Sequence, residues 1–575
     1  MNTKSPTTRG SALLAAGIVA VTTSACEPPT EGVDLVLLNG NVLTVDPDQP
    51  RAEGVAMEGQ TIAAVGSSEE MEAYIGPDTE VMDLDGLTAM PGFIEGHGHF
   101  MSMGQAQMRV DLMNTRSWQE VVDRVADAVE DAEPGEWVTG RGWHQEDWEE
   151  VPEETYDDVP THHSLSEVSP ENPVLLTHTS GHASFANARA LEEAGVDADT
   201  PDPEGGTIVR DAEGNPTGFL RQAAQGLVSV GEELSQEELE ERRREQVRLA
   251  GEEALRHGIT TFHDAGSSFA TIDFFEELAQ DGELPLRLWV NVRGESDETM
   301  AEELADHRRE SVADHFLTVH SVKAQIDGAL GTHGAWLLEP YADMPESTGL
   351  PQTDPEDLRA TAEIVRDQGF QLYVHAIGDR GNREVLDIYE EVLQEDVAEN
   401  GNPSDHRWGI EHAQHLHPDD IPRFGELGII ASMQGIHGTS DGPWVEPRLG
   451  EERAREGAYA WRSLIDTGAV ICNGTDAPVE PVDPIASYYA SVSRMMDTGE
   501  RFFEEQAMTR QEALESYTIN CAYKGFQEDL KGSLEPGKLA DIVVLDQDLL
   551  EVEEDAIPET EVVHTILGGE IVYSR

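Results

Sequence analysis

Lysine is almost absent from this 575-residue chain: Lys4, Lys323, Lys524, Lys531 and Lys538 are all it has. Positive charge is scarce altogether, with 37 Lys plus Arg against 114 Asp plus Glu and a formal net charge of -77. A surface of that sign argues against nucleic acid as a partner, because phosphate binding needs a basic patch, and it repels anionic lipid. The acidity runs along the whole chain rather than gathering in a tail, so it reads as a solvated surface whose self-repulsion must be screened. A salt-rich habitat with an acidic proteome is therefore expected, and with it a melting temperature that rises between low and molar salt. Cysteine is scarce too: Cys26, Cys472 and Cys521 are too few for a disulfide framework. With Cys472 inside a strand and no Gly-x-Ser-x-Gly elbow, a nucleophilic cysteine or serine enzyme is disfavoured. No run after the N-terminus is apolar for long enough to form a transmembrane helix.

What is present begins with an export signal. Lys4 and Arg9 precede an apolar stretch from Ala12 to Val21, and small residues lead into Cys26. Residues 1–25 read as a signal peptide, Cys26 as a lipidation site, and 26–32 as a tether. Thr23 stands where such sites usually carry Leu. The expected location is the cell envelope, lipid-anchored or otherwise periplasmic or secreted, with the membrane met only through Cys26.

Short apolar runs flank Asn39-Gly40, Glu58-Gly59 and Gly568-Gly569, three hairpin signals at the two chain ends. One small β-sandwich built from 33–90 and 531–575 is expected, enclosing a main domain over 91–530. That middle alternates strand-like runs with Glu/Arg-rich helical segments, the pattern of a parallel α/β fold. About eight such units over roughly 400 residues fit a (β/α)8, or TIM, barrel. The Trp-rich stretch after Trp118 belongs to an insertion at about 105–220.

Polar residues fall at the ends of these strands. Gly92-Phe-Ile-Glu-Gly leads into His97-Gly-His99, and residues two apart on a strand share a face, so both rings can converge on one ion. Leu372-Tyr-Val ends in His375, Trp408-Gly-Ile-Glu in His412, and Ala469-Val-Ile-Cys-Asn-Gly-Thr in Asp476. In a barrel those ends open onto one face. One such histidine is usually structural; four and an aspartate at equivalent positions point to metal, Zn above all. Lys323 ends Thr318-Val-His-Ser-Val-Lys in a chain that has discarded lysine elsewhere. Burial should lower its pKa and leave the amine free to add carbon dioxide, giving a carbamate that can bridge metals. The plain alternative is a salt bridge to Asp327 or Glu411.

Pro91-Gly-Phe-Ile-Glu-Gly-His-Gly-His-Phe, Val322-Lys-Ala-Gln-Ile-Asp-Gly-Ala-Leu-Gly, Val374-His-Ala-Ile-Gly-Asp, Ile410-Glu-His-Ala-Gln and Asn473-Gly-Thr-Asp-Ala-Pro together resemble the amidohydrolase superfamily. Within it, the branch of N-substituted formamide deformylase-like enzymes is the nearest in pattern, from about Leu35 to Tyr573. The resemblance implies a barrel capped by a sandwich of both termini and one or two divalent ions, with a homodimer as a family-level expectation. His97 and His99 would hold the first ion, Lys323 would bridge, His375 and His412 would hold the second, and Asp476 would act beside the metal. His182 resembles a position at the substrate pocket, where Asp327 and His333 are also expected. Glu95 replaces the family's usual Asp, and Gly331-Thr-His333 replaces its arginine, so specificity does not transfer directly.

The expected chemistry is hydrolysis of a small molecule's carbon–nitrogen bond, in an amide or an N-acyl or N-formyl amine, by metal-activated water with Asp476 as base. Esters and lactones would react by the same steps. A binding lipoprotein without turnover, or an isomerase or decarboxylase on the same barrel, are the rival readings.

Overall fold

The computed structural model describes residues 32–575 apart from 114, 146–147, 149–154, 157–158, 179–182, 204, 231–234 and 401–404. The export signal, Cys26 and His182 lie outside the described residues.

Eight parallel strands form the barrel: β1 (Phe93–Gly98), β2 (Ile259–Ser267), β3 (Arg287–Val292), β4 (Leu317–Gln325), β5 (Gln371–Ala376), β6 (Gly409–His412), β7 (Ile430–Gln434) and β8 (Ile471–Gly474). Each pairs with the next in chain order. The ring closes just past β8, where Asp476 N donates to His97 O and His99 N to Ala477 O, both at 2.7 Å. Closure therefore runs through candidate site residues. Strands covered on both faces should be apolar or buried throughout, and β3 is buried at all six positions. Between strands, local signals set the helices. Ser235 and Glu238 form a reciprocal capping box that starts Gln236–Arg256, and Gly282, at φ +72°, ends Phe269–Asp281.

Strand existence was legible; sheet membership was not. Val174–His178 reads like a barrel strand, yet it belongs to a separate six-stranded sheet inserted between β1 and β2 and running from Val110–Asp111 to Pro216–Gln222. That insertion has its own core of Trp118, Trp143, Trp148, Phe185 and Phe219. The runs around Glu58-Gly59 and Gly568-Gly569 pair as hairpins. Those around Asn39-Gly40 do not. Leu35–Leu38 pairs with Gly54–Glu58 and Glu80–Asp83, whereas Asn41–Leu43 pairs with Thr88–Pro91 and Arg51–Ala52 in another sheet. Leu37 and Val42 both enter the core between the two sheets, so this corner carries the chain across rather than back.

The second of those sheets joins the chain ends, with Ile542–Leu545 antiparallel to Thr88–Pro91. A buried ion pair, Arg287 Nε to Asp541 at 2.8 Å, ties the start of β3 to it. The ends of the barrel are thus divided: one rests on the sandwich, the other carries the polar cluster.

Candidate metal centre

His97 and His99 leave β1 on one face, and Asp476 follows β8, the strand that closes on β1. Asp476 Oδ1 lies 3.4 Å from His97 Nε2 and 3.3 Å from His99 Nε2. Neither contact is aligned as a hydrogen bond, and Oδ1 has no hydrogen-bond partner. Donor atoms bound to a tetrahedral zinc at ~2.0–2.1 Å lie ~3.3 Å from one another, so the three are spaced as ligands around an ion. A second group, His412, His437 and Asp476, also brings its donor atoms within 4.8 Å of one another. The His375 ring sits 4.5 Å from that of His412, and the His97 ring 5.0 Å. His375 Nε2 is buried without a hydrogen-bond partner, 3.8 Å from Asp327 Oδ1. Unpartnered buried nitrogen and oxygen are costly unless something fills the space between them. This donor set fits a divalent ion of the zinc type.

Outer contacts fix the rings. His97 Nδ1 meets Glu411 Oε2 at 2.6 Å and His412 Nδ1 meets Gln434 Oε1 at 2.7 Å. Each turns Nε2 inward, as in carboxylate–histidine–metal relays. Burial, then the neighbouring Lys323 charge, pushes His375 down to about 3, and burial holds His412 well below the usual imidazole range. Both rings are therefore neutral, as ligation requires. Burial opposes ionisation of Asp476, but the contacts from His97 and His99 overcome it and hold the carboxyl well below its ordinary value. The backbone is strained here as well: His412 has φ +74° and Asp476 φ +60°, left-handed values that non-glycine residues adopt mainly where surroundings enforce them.

Lys323 is 6% exposed and forms no hydrogen bond or ion pair among the described residues. Burial lowers its amine to about 8. The salt bridge to Glu411 considered above goes to a different lysine. Lys524 Nζ, wholly buried, donates to Glu411 Oε1 at 3.1 Å, Gly96 O at 2.9 Å and Ser432 Oγ at 2.8 Å. Its counter-charge role was missed in the sequence, although its survival in a lysine-poor chain was a signal. Glu95 is fully buried and accepts from Thr475 N at 2.7 Å and His97 N at 3.2 Å, lacing β1 to the Asp476 turn. A Cβ on Gly474 would stand 2.4 Å from Glu95 Oε1, so this approach requires glycine. Desolvation raises Glu95 to about 8.

Two residues expected at the substrate pocket have other engagements. Asp327 is fully buried and accepts backbone N–H groups of Trp336, Ile377 and Gly378 at 2.8–2.9 Å, which braces the loops after β4 and β5. A carboxylate so occupied shapes the pocket wall, and its Oδ1 stands 3.8 Å from His375 Nε2. His333 Nε2 lies 3.1 Å from Asp343, which also pairs with Arg448. Arg448 donates as well to Gly331 O, so a guanidinium does reach this loop, from elsewhere in the chain. His437 is not singled out by the sequence, because it follows the end of β7 by three residues, on a helical turn. A cavity of about 540 Å³, lined by Thr318, His320, Gln371, Trp408 and Phe526, lies at the opposite end of the barrel and touches none of the cluster.

A (β/α)8 barrel with imidazoles, a buried lysine and a carboxylate gathered at its strand ends is the frame of a metal-dependent barrel enzyme. The family model described as "Amidohydrolase family" matches residues 80–573, and the chain belongs to that family. It is 35% identical over 558 residues to "Protein LONG AFTER FAR-RED 3" of Arabidopsis thaliana, covering 95% of this chain and 93% of that one. To the "N-substituted formamide deformylase" of Arthrobacter pascens it is 28% identical over 95% of this chain and 99% of the relative. A solved metal-dependent hydrolase of Pyrococcus horikoshii superposes with a TM-score of 0.69 at 26% identity, over 91% of this chain and 99% of that one.

Proposed function

We propose that this protein hydrolyses a non-peptide carbon–nitrogen bond in a small molecule, with an N-formyl or N-acyl amine as the substrate class. The observation that carries the reading is the His97–His99–Asp476 group, whose donor atoms stand at ligand spacing with Asp476 Oδ1 unpartnered. Similarity to a formamide deformylase over nearly the full length of both chains supports the bond type.

His97, His99 and Asp476 would hold one divalent ion, zinc first among candidates, and His375 and His412 a second, with Lys323 between them as a carbamate. A bound metal would supply Lewis acidity, lowering the pKa of water to about 7 and polarising the scissile carbonyl. Asp476 takes the proton of the attacking water and returns it to the departing nitrogen, without which the amine is too poor a leaving group. Glu411 and Gln434 engage Nδ1 of the His97 and His412 rings and leave each Nε2 to ligate the metal. Lys323, with no hydrogen-bond or ion-pair partner among the described residues and a pKa lowered to about 8, would offer carbon dioxide a larger share of neutral amine than an ordinary lysine does, losing a proton as the carbamate forms.

Elemental analysis of protein purified in high salt, followed by a screen of N-formyl and N-acyl amines in oxygen-18 water, tests this. One or two equivalents of metal and label appearing in the released acid are expected. Metal-free protein that stays inert after reconstitution with zinc and bicarbonate would sink the reading.

Export to the cell envelope belongs to the same proposal. The basic–apolar–small N-terminus supports it, and so does the Cys472–Cys521 disulfide, since such bonds persist in oxidising compartments. Mass spectrometry of the mature N-terminus, expected to begin at lipidated Cys26, checks it.

A further inference from the structure

We propose that His437 is a metal ligand, completing with His412 and Asp476 the seat of a second ion. The inference rests on the metallohydrolase reading and adds a residue to it. His437 lies in the first turn after β7, the one strand end whose histidine was not counted, and it is 8% exposed. Its Nε2 is buried with no hydrogen-bond partner. A buried histidine kept for structure would normally spend that nitrogen on a backbone carbonyl or side chain. Here the donor atoms within reach are those of His412 and Asp476, all within 4.8 Å of one another. The three are each buried.

The turn that delivers the ring is tightly specified. Gly435 N donates to Asn473 Oδ1 at 2.8 Å and Ile436 N to Ser487 Oγ at 3.1 Å. A Cβ on Gly435 would stand 2.3 Å from Ser491 Oγ and 2.5 Å from Ser487 O, so only glycine lets the chain pass this close. The His437 ring then lies nearly parallel to that of His412, with an interplanar angle of 23° and centroids 6.3 Å apart. Gln434, the last residue of β7, occupies His412 Nδ1 and leaves Nε2 as that ring's ligating atom. One short segment, Gln434 to His437, thus both orients one ligand and supplies another. Asp476 is common to both three-residue groups and has two oxygens to give.

The test uses full-length protein stripped of metal with a chelator. Zinc is titrated against a chromophoric competitor, and the visible spectrum is recorded on cobalt loading, in the parent, His437→Ala and His437→Gln. The parent is expected to take two equivalents. His437→Ala should keep one tight equivalent and bind the second at least tenfold more weakly, with an altered cobalt spectrum, which a residue outside the coordination sphere would leave unchanged. Should His437→Ala fail to fold by circular dichroism, His437→Gln, closer in volume and still polar, decides by the same readouts. If the parent takes one equivalent, its loss in the variants supports the proposal. Parental stoichiometry, affinity and spectrum in both variants overturn it while leaving the metallohydrolase reading intact. A parent that takes up no metal overturns both.

Discussion

Lys524 and Lys323 share one barrel interior, yet their surroundings are opposite. Lys524 donates to a carboxylate, a carbonyl and a hydroxyl and lies over the Tyr373 ring at 4.4 Å. Lys323 has none of these among the described residues, and at the same mouth His375 Nε2, His437 Nε2 and Asp476 Oδ1 lack hydrogen-bond partners as well. The layer beneath the mouth is a closed network: Lys524 to Glu411, Glu411 to His97. The mouth is an open one. A fully satisfied polar network stabilises a fold and fixes geometry, whereas a half-satisfied one is unfavourable by itself and waits for a ligand. The lower layer therefore holds the upper layer in place, and the two should respond differently to substitution.

The largest difference is expected in activity. Asp476→Asn removes the proton acceptor and an anionic ligand, so turnover on any substrate found by the screen should fall ~10²–10⁴-fold. Its urea midpoint, measured without metal, should fall less than that of a lower-layer variant, because Oδ1 makes no hydrogen bond and keeps only the imidazole contacts at 3.3–3.4 Å that lower its pKa. A loss as large as that of the lower layer would erase the distinction between the layers. Lys524→Met is the converse. It leaves Glu411 buried beside His97 without its ammonium, and breaking a buried pair this way costs about 3–5 kcal/mol. Denaturant unfolding of the metal-free protein measures that directly.

A smaller effect should come from the Cys472–Cys521 bond, which fastens the short helix Ile519–Lys524 to β8. That helix delivers Lys524 to the lower layer, and β8 leads to Asp476 in the upper one. Replacing both cysteines by alanine should lower stability by about 2–4 kcal/mol, a loss that vanishes when parent and variant are compared in reductant. An unchanged unfolding curve under oxidising conditions would show that the two layers are joined by packing alone.

The difference between the layers also explains what the sequence could and could not disclose. Residues at strand ends announce themselves locally: His97 and His99 through two-residue spacing, Asp476 through its place after an apolar run. The lower layer is made of partners far apart in the chain, Glu411 and Lys524 being 113 positions apart and Gly96 and Lys524 428. No local pattern links them, and only the scarcity of lysine hinted that Lys524 was retained for a reason. His437 was hidden differently, because its strand ends in Gln434 and the ring arrives three residues later, on a helical turn. The Asn39-Gly40 corner misleads for the same physical cause as Val174–His178: turn chemistry and apolar runs fix local conformation, while the choice of sheet depends on which distant face is left to be covered. Asp327 looked available because acidic residues near strand ends usually are, and of its three backbone donors one comes from further along its own loop and two from the loop after β5.

Lys531 offers the finest test of the closed layer, because it is closed without a counter-ion. The residue is 4% exposed, and its amine donates to Thr261 Oγ1 at 2.9 Å and is pushed by burial down to about 7. An unfolded lysine titrates near 10.4, so between about pH 7 and 10 the unfolded chain binds a proton that the folded one does not. Stability attributable to this group is thus present above the unfolded value and is lost as pH falls toward about 7. Below that both states are protonated and the dependence ends. The expected slope is up to about 1.4 kcal/mol per pH unit, rising with pH. Lys531→Met should flatten that slope and, by removing the cost of confining a basic group, leave the protein at least as stable as the parent at pH 7. A variant that is markedly less stable at pH 7 would mean that the Thr261 hydrogen bond outweighs desolvation, and that even a lysine without a carboxylate partner belongs to the supporting network.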